Sequence, residues 1–166
     1  LVDELAVEHE DETAFRGCTD PSSGEPDFDA IKAASFGTAV ERAGANWANV
    51  RAARRLAYRY ALFVHYLKGK AASGCAEIGG NDFVVGLGTE THGALRGRKL
   101  QAGTFMHELG HTLGLRHGGG DHINCKPNYL SVMNYAFQLD GLPVLDRPLD
   151  YSPLALPSLS ENDLKE

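Results

Sequence analysis

Residues 107–117 read HELGHTLGLRH, with three histidines and one glutamate in eleven positions. No other segment limits the fold as tightly. On an α-helix, residues i and i+4 share a face, so His107 and His111 can aim two imidazole nitrogens at one centre. Zinc accepts that geometry at about 2.0–2.1 Å per nitrogen. Glu108 lies beside a ligand on the same helix, where it can take a proton from a water at the metal without being a ligand itself. Gly114 can adopt a positive φ, end the helix and return the chain so that His117 supplies a third nitrogen. Three histidines leave one tetrahedral position open, the mark of a catalytic rather than a structural zinc.

An isolated HExxH can be a solvated helical stripe. Here the full HExxHxxGxxH is present, and Met133 follows in the turn-forming SVMNY. Coincidence is a poor account of both together.

The helix carrying this segment is expected from about Gly103, with Phe105, Met106, Leu109 and Leu113 as its apolar side. A long amphipathic helix is predicted over 47–68, where Trp47, Val50, Ala53, Ala57, Tyr60, Val64 and Leu67 recur at helical spacing. A short helix should begin near Phe28, capped by Asp27, with Phe28 and Ile31 on one face. NDFVVGLG at 81–88 has strand composition, and residues 1–8 are a second strand candidate. A final short helix is expected from Ser160. A stable sheet usually needs three or more strands, so part of it is expected upstream of Leu1.

Charge is unevenly spread. Residues 1–29 hold ten acids against Arg16 alone, and residues 30–166 hold twelve acids and fifteen bases. RAARR at 51–55 is the densest basic stretch, most simply a solvated helix face, so nucleic-acid binding is not expected. No apolar run approaches the roughly 20 residues of a membrane span. The expected organisation is a single catalytic domain over 1–166. It comprises an acidic segment at 1–29, an upper subdomain at 30–117 and a lower one at 118–166.

With HELGHTLGLRH and SVMNY the sequence resembles the metzincin clan of zinc endopeptidases. The resemblance implies His107, His111 and His117 as zinc ligands, Glu108 as general base and acid, and Met133 as an apolar floor. It also implies an α+β fold: a small twisted mixed sheet with a backing helix and an active-site helix above a cleft, and an irregular lower carboxy-terminal subdomain. Tyr135 matches the position where astacin-like and serralysin-like members place a tyrosine near the zinc. There it is either an oxyanion donor or a core residue of the turn. Gly118 follows the third histidine where the familiar subfamilies commonly carry other residues, which leaves the subfamily open.

Other groups have plainer readings. His65 reads as a core histidine of the long helix, and His9, His92 and His122 as non-ligands. Three cysteines leave at least one unpaired within the chain. A Cys75–Cys125 disulfide pinning the loop after His117 is the favoured pairing. Cys18, in FRGCTDPSSGEPDF, is a weaker candidate for a thiolate that blocks the zinc. Asp121, Asp140, Asp146 and Asp150 with Asn124 and Asn128 offer calcium-type oxygen ligands but lack a known spacing, so solvated loops are the default. NDFVVGLG is read as an edge strand receiving an extended peptide by β-augmentation.

The expected activity is zinc-dependent hydrolysis of peptide bonds in protein or peptide substrates by a monomer. A secreted location follows from the resemblance. The alternative is a zinc-binding module without peptidase activity, or an incomplete catalytic fragment that needs another chain segment.

Overall fold

The computed structural model describes residues 12–15, 18, 28–87, 98–139, 149–154, 156–160 and 162. The predicted strand at 1–8, the Asp27 cap, His9, His92, Asp140 and Asp146 lie outside them, as does most of the predicted final helix.

Two small sheets and four helices make up the described elements. Strand β1 (Glu12–Thr13) pairs in parallel with β3 (Tyr66–Leu67). A three-stranded mixed sheet has the order β2-β5-β4. Here β2 (Tyr60–Val64) runs parallel to β5 (Asp82–Gly86), and β4 (Gly74–Ala76) runs antiparallel to it. The helices are α1 (Phe28–Ser35), α2 (Ala39–Ala43), α3 (Trp47–Ala57) and α4 (Arg98–Thr112). The α+β mixed-sheet expectation is met.

The predicted helix over 47–68 is instead a helix and a strand. Helical spacing holds only to Ala57, and from Tyr60 the buried residues are Tyr60, Leu62 and Val64, a period of two. Tyr, Phe and Val favour the pleat, and a buried sheet partner outweighs the helical propensity of the preceding turns. His65 is therefore an exposed residue between β2 and β3, not part of a helix core. Strands β2 and β4, not expected from the sequence, bring this sheet to three strands among the described residues.

NDFVVGLG does contain a strand, but β5 lies centrally between β2 and β4 rather than at an edge. Every residue of β5 is buried, as a strand covered on both faces requires.

One face of the sheet carries the main core. Tyr60, Leu62, Val64, Cys75 and Val84 pack there with Phe15, Phe28 and Phe36. Phe28 sits edge-on to Phe15 and to Tyr60, with ring centroids 4.7 and 5.4 Å apart, so the helix predicted from Phe28 does bury its aromatic face. Lys32 of α1 reaches the buried carboxylate of Asp82 at the start of β5. Burial raises the Asp82 carboxyl above its usual range, and the Lys32 hydrogen bond pulls it part of the way back.

Helix α4 covers the other face, where Phe83 meets Phe105 edge-on at 5.1 Å. Its apolar side is not its buried side. The buried residues are Gly103, Thr104, His107, Glu108, Gly110, His111 and Thr112, and Leu113 is exposed. Small and functional residues occupy the inner face because sheet and turn approach it too closely for larger side chains.

The cysteines pair as Cys18–Cys75, and Cys125 is free and exposed. This corrects both cysteine expectations. Cys75 points into the core from β4, and Cys18 packs against the same core. Cys18 is thus consumed in a disulfide and has no thiol to place on a metal.

Candidate metal centre and active site

Helix α4 delivers His107, Glu108 and His111, and its carboxy-terminal cap delivers His117. At the cap Leu115 N–H donates to Gly110 O (3.0 Å) and Gly114 N–H to His111 O (2.9 Å), the paired bonds of a Schellman motif. Gly114 takes φ +90°, the left-handed turn that its sequence position requires. Past the turn, Arg116 and Gly119 exchange backbone hydrogen bonds, each 2.9 Å, which folds His117 back toward the helix.

The ligand nitrogens of His107, His111 and His117 lie within 4.8 Å of one another. His111 Nε2 and His117 Nε2 are 3.2 Å apart. Two nitrogens bound tetrahedrally to one zinc at 2.0–2.1 Å would be separated by about 3.3 Å, so the spacing suits a shared metal.

Two of the rings are oriented from behind. His107 Nδ1 lies 2.9 Å from Val132 O, and His111 Nδ1 lies 2.8 Å from Leu115 O. A carbonyl oxygen only accepts, so each Nδ1 donates and leaves Nε2 with its lone pair for the metal. Burial holds the His107 imidazole down to about 4 and lowers His111 and His117 as well. All three are therefore neutral donors at physiological pH.

Glu108 is only 4% exposed. Burial alone lifts its carboxyl to about 8 in the metal-free chain. The carboxylate is directed at β4: a side chain on Gly74 would meet Glu108 Oε1 at 2.6 Å.

Beneath the helix, Met133 is fully buried. Met133 N–H donates to Ser131 Oγ (3.2 Å), and Val132 N–H to Asp150 O (2.8 Å). Asn134, 1% exposed, uses its Nδ2 to donate to Lys126 O (2.9 Å) and Tyr129 O (3.1 Å), tying the histidine loop to the methionine turn. The Tyr135 ring stands 4.4 Å from the His117 ring and 5.4 Å from that of His107 and is half exposed. Burial, and secondarily the charge of Glu108, raises its phenol above the ordinary range.

The family described as Metallo-peptidase family M12B Reprolysin-like matches residues 25–118, more than half of the chain. The chain belongs to this reprolysin-like metallopeptidase family. That match, with the three-histidine cluster, makes it a metzincin and assigns the subfamily that Gly118 left open. No curated protein and no solved structure matches the chain.

Gly118 itself has a packing explanation in this reprolysin-like chain. A side chain there would run into Asp121 Oδ1 and Ile123 O. Asp121 is held by Lys126 (2.6 Å) and accepts from Ile123 N–H (2.9 Å). Asn124 Oδ1 accepts from Tyr135 N–H (3.1 Å), Asn128 donates to Pro157 O (2.9 Å), and Asp150 Oδ1 accepts from Tyr151 N–H (2.8 Å). These groups are thus engaged in hydrogen bonds within the loop-rich carboxy-terminal part. His122 is exposed, its ring 6.4 Å from that of His117, and stands outside the three-histidine cluster.

Several residues that build the site carried little sequence signal. Gln138 and Tyr151 act through one side-chain hydrogen bond each and Asn134 through several, all from irregular segments. Gly110 did carry one: a glycine inside a helix costs about 1 kcal/mol against alanine and marks a close approach.

Proposed function

We propose that this reprolysin-like domain is a zinc endopeptidase. The observation that carries the reading is the convergence of three neutral imidazoles beside a buried carboxylate. His107, His111 and His117 would hold the metal. Zinc in that site supplies a Lewis acid for the scissile carbonyl and for the attacking water.

Glu108 does the proton work. Its buried carboxylate accepts a proton from the attacking water and passes it to the departing amine nitrogen, so no covalent intermediate with the chain is formed. Metal binding would add positive charge next to Glu108 and favour the ionised form that a base needs. Tyr135, beside His117 and partly open to solvent, donates its phenol proton in a hydrogen bond to the oxygen that gains charge at the carbonyl. Substrates are proteins or peptides, and an extracellular setting suits the Cys18–Cys75 disulfide.

Cleavage of denatured casein or gelatin by the zinc-loaded chain tests the reading. Glu108→Ala should keep one equivalent of zinc and lose hydrolysis, and Tyr135→Phe should lower kcat more than it changes KM. Full activity in Glu108→Ala would remove the mechanism. A parent chain that binds zinc and cleaves nothing would make it a zinc-binding module.

A further inference from the structure

The general base needs a fixed seat, and the seat is made by a missing side chain. In β4, Cys75 faces the main core, so Gly74 and Ala76 face α4. A Cβ on Gly74 would lie 2.6 Å from Glu108 Oε1, 2.7 Å from Glu108 Cγ and 2.8 Å from Val84 O. Ordinary contact begins near 3.4 Å, so the carboxylate occupies the place of a residue-74 side chain.

The strand cannot easily move away to make room. On one side of Gly74, Ser73 O accepts from Gly86 N–H (2.8 Å) and Ser73 Oγ accepts from Gln138 Nε2 (3.2 Å). On the other, Cys75 is bonded to Cys18. Gly74 opens β4, and a glycine in a strand often marks a place where another group approaches closely. Here that group is Glu108.

We infer that Gly74 is the positioning residue for Glu108, its absent side chain setting where the carboxylate stands relative to the three histidines. The inference rests on the peptidase reading for its catalytic consequence, and on geometry alone for the contact.

A two-part cycle on the full chain tests it. Thermal unfolding is measured for the parent, Gly74→Ala, Glu108→Ala and the double variant. Gly74→Ala should lower Tm by about 3 °C or more, and most of that loss should vanish in the Glu108→Ala background. An equal loss in both backgrounds overturns the inference, because the penalty then comes from Val84 and the strand.

Hydrolysis is then measured for Gly74→Ala, Glu108→Asp and their combination. Gly74→Ala should lower kcat about 10- to 100-fold with zinc content and KM nearly unchanged, the scale of an ångström-sized misplacement. Shortening the base by one methylene should cost less when Gly74→Ala is already present than when it is not. Losses that multiply, or an unchanged kcat in Gly74→Ala, overturn the positioning role. If the parent chain cleaves nothing, the peptidase reading fails while the unfolding cycle still decides the contact.

Discussion

Met133 lies directly beneath Gly110. A Cβ on Gly110 would overlap the Met133 sulfur and come within 2.9 Å of the Tyr151 ring. The Tyr151 phenol in turn donates to Met106 O (2.6 Å) one turn earlier in α4. The methionine turn therefore reaches the three-histidine cluster only because the helix has no side chain at Gly110. Gly→Ala in a helix interior ordinarily stabilises by roughly 0.5–1 kcal/mol. In Gly110→Ala the sign should reverse, with a loss of about 1–3 kcal/mol from overpacking. Chemical denaturation of the metal-free chain measures it, and a gain in stability would show that Met133 does not limit the approach.

Gly114 separates conformation from packing. Its φ of +90° disfavours any side chain, yet a Cβ there would meet nothing within 4 Å. Gly114→Ala should therefore cost only the backbone term, about 1–2 kcal/mol. Because the strained turn places His117, the variant should also bind zinc more weakly, as read by competition with a chelator. Unchanged zinc affinity would mean that His117 is held by its own loop rather than by the cap.

What the sequence made legible follows from how local each signal is. HELGHTLGLRH contains its own geometry: helical spacing for His107 and His111 and a turn glycine for His117. The helix from Phe28 and the strand at 82–86 were equally local. Tyr60–Val64 was not, because its apolar residues fit both periods until Asp82–Gly86 is known to lie alongside and the sheet chooses one. The disulfide was hidden for the same reason: which face of β4 Cys75 occupies is set by the pairing Cys75↔Val84. The seat of Glu108 depends on the neighbouring pairing Gly74↔Val85, which no spacing along the chain reveals.

The disulfide closes a loop of 57 residues between β4 and the segment before α1. Chain entropy for a loop of that size gives an upper value of about 4 kcal/mol, with 2–4 kcal/mol typical. Cys18→Ser and Cys75→Ser should each lower Tm by a similar amount, and reductant should bring the parent down to their level. Cys125→Ser, changing an exposed free thiol, should leave Tm where it is. A large effect of Cys125→Ser would place the bond elsewhere.

Acid stability has an identifiable contributor in Glu41. Its backbone hydrogen bond at Thr38, together with the Arg54 guanidinium, holds its carboxyl down to about 2. A folded-state value below the unfolded one, about 4.3, means that the ionised form stabilises the fold. That contribution is present above the unfolded value and is lost as pH falls through about 2. Between pH 5 and pH 2 the parent should lose Tm more steeply than Glu41→Gln, which has no charge to lose. Parallel curves for the two would remove Glu41 from the acid transition.

Lys32 and Asp82 test the core behind the site. Both are under 10% exposed, and the ammonium also lies 5.2 Å from the Phe36 ring. Removing one partner of a buried pair costs about 3–5 kcal/mol because the other charge is stranded. Asp82 has a way out: burial already raises its carboxyl, so in Lys32→Met it should take up a proton rather than remain charged. The loss in Lys32→Met should therefore shrink as pH falls toward 5, opposite in sign to the Glu41 effect. Lys32→Met combined with Asp82→Asn should recover part of the stability at pH 7. Urea unfolding of the parent and the two variants at pH 5 and pH 7 measures both effects, and a pH-independent loss in Lys32→Met would mean that Asp82 stays ionised without its partner.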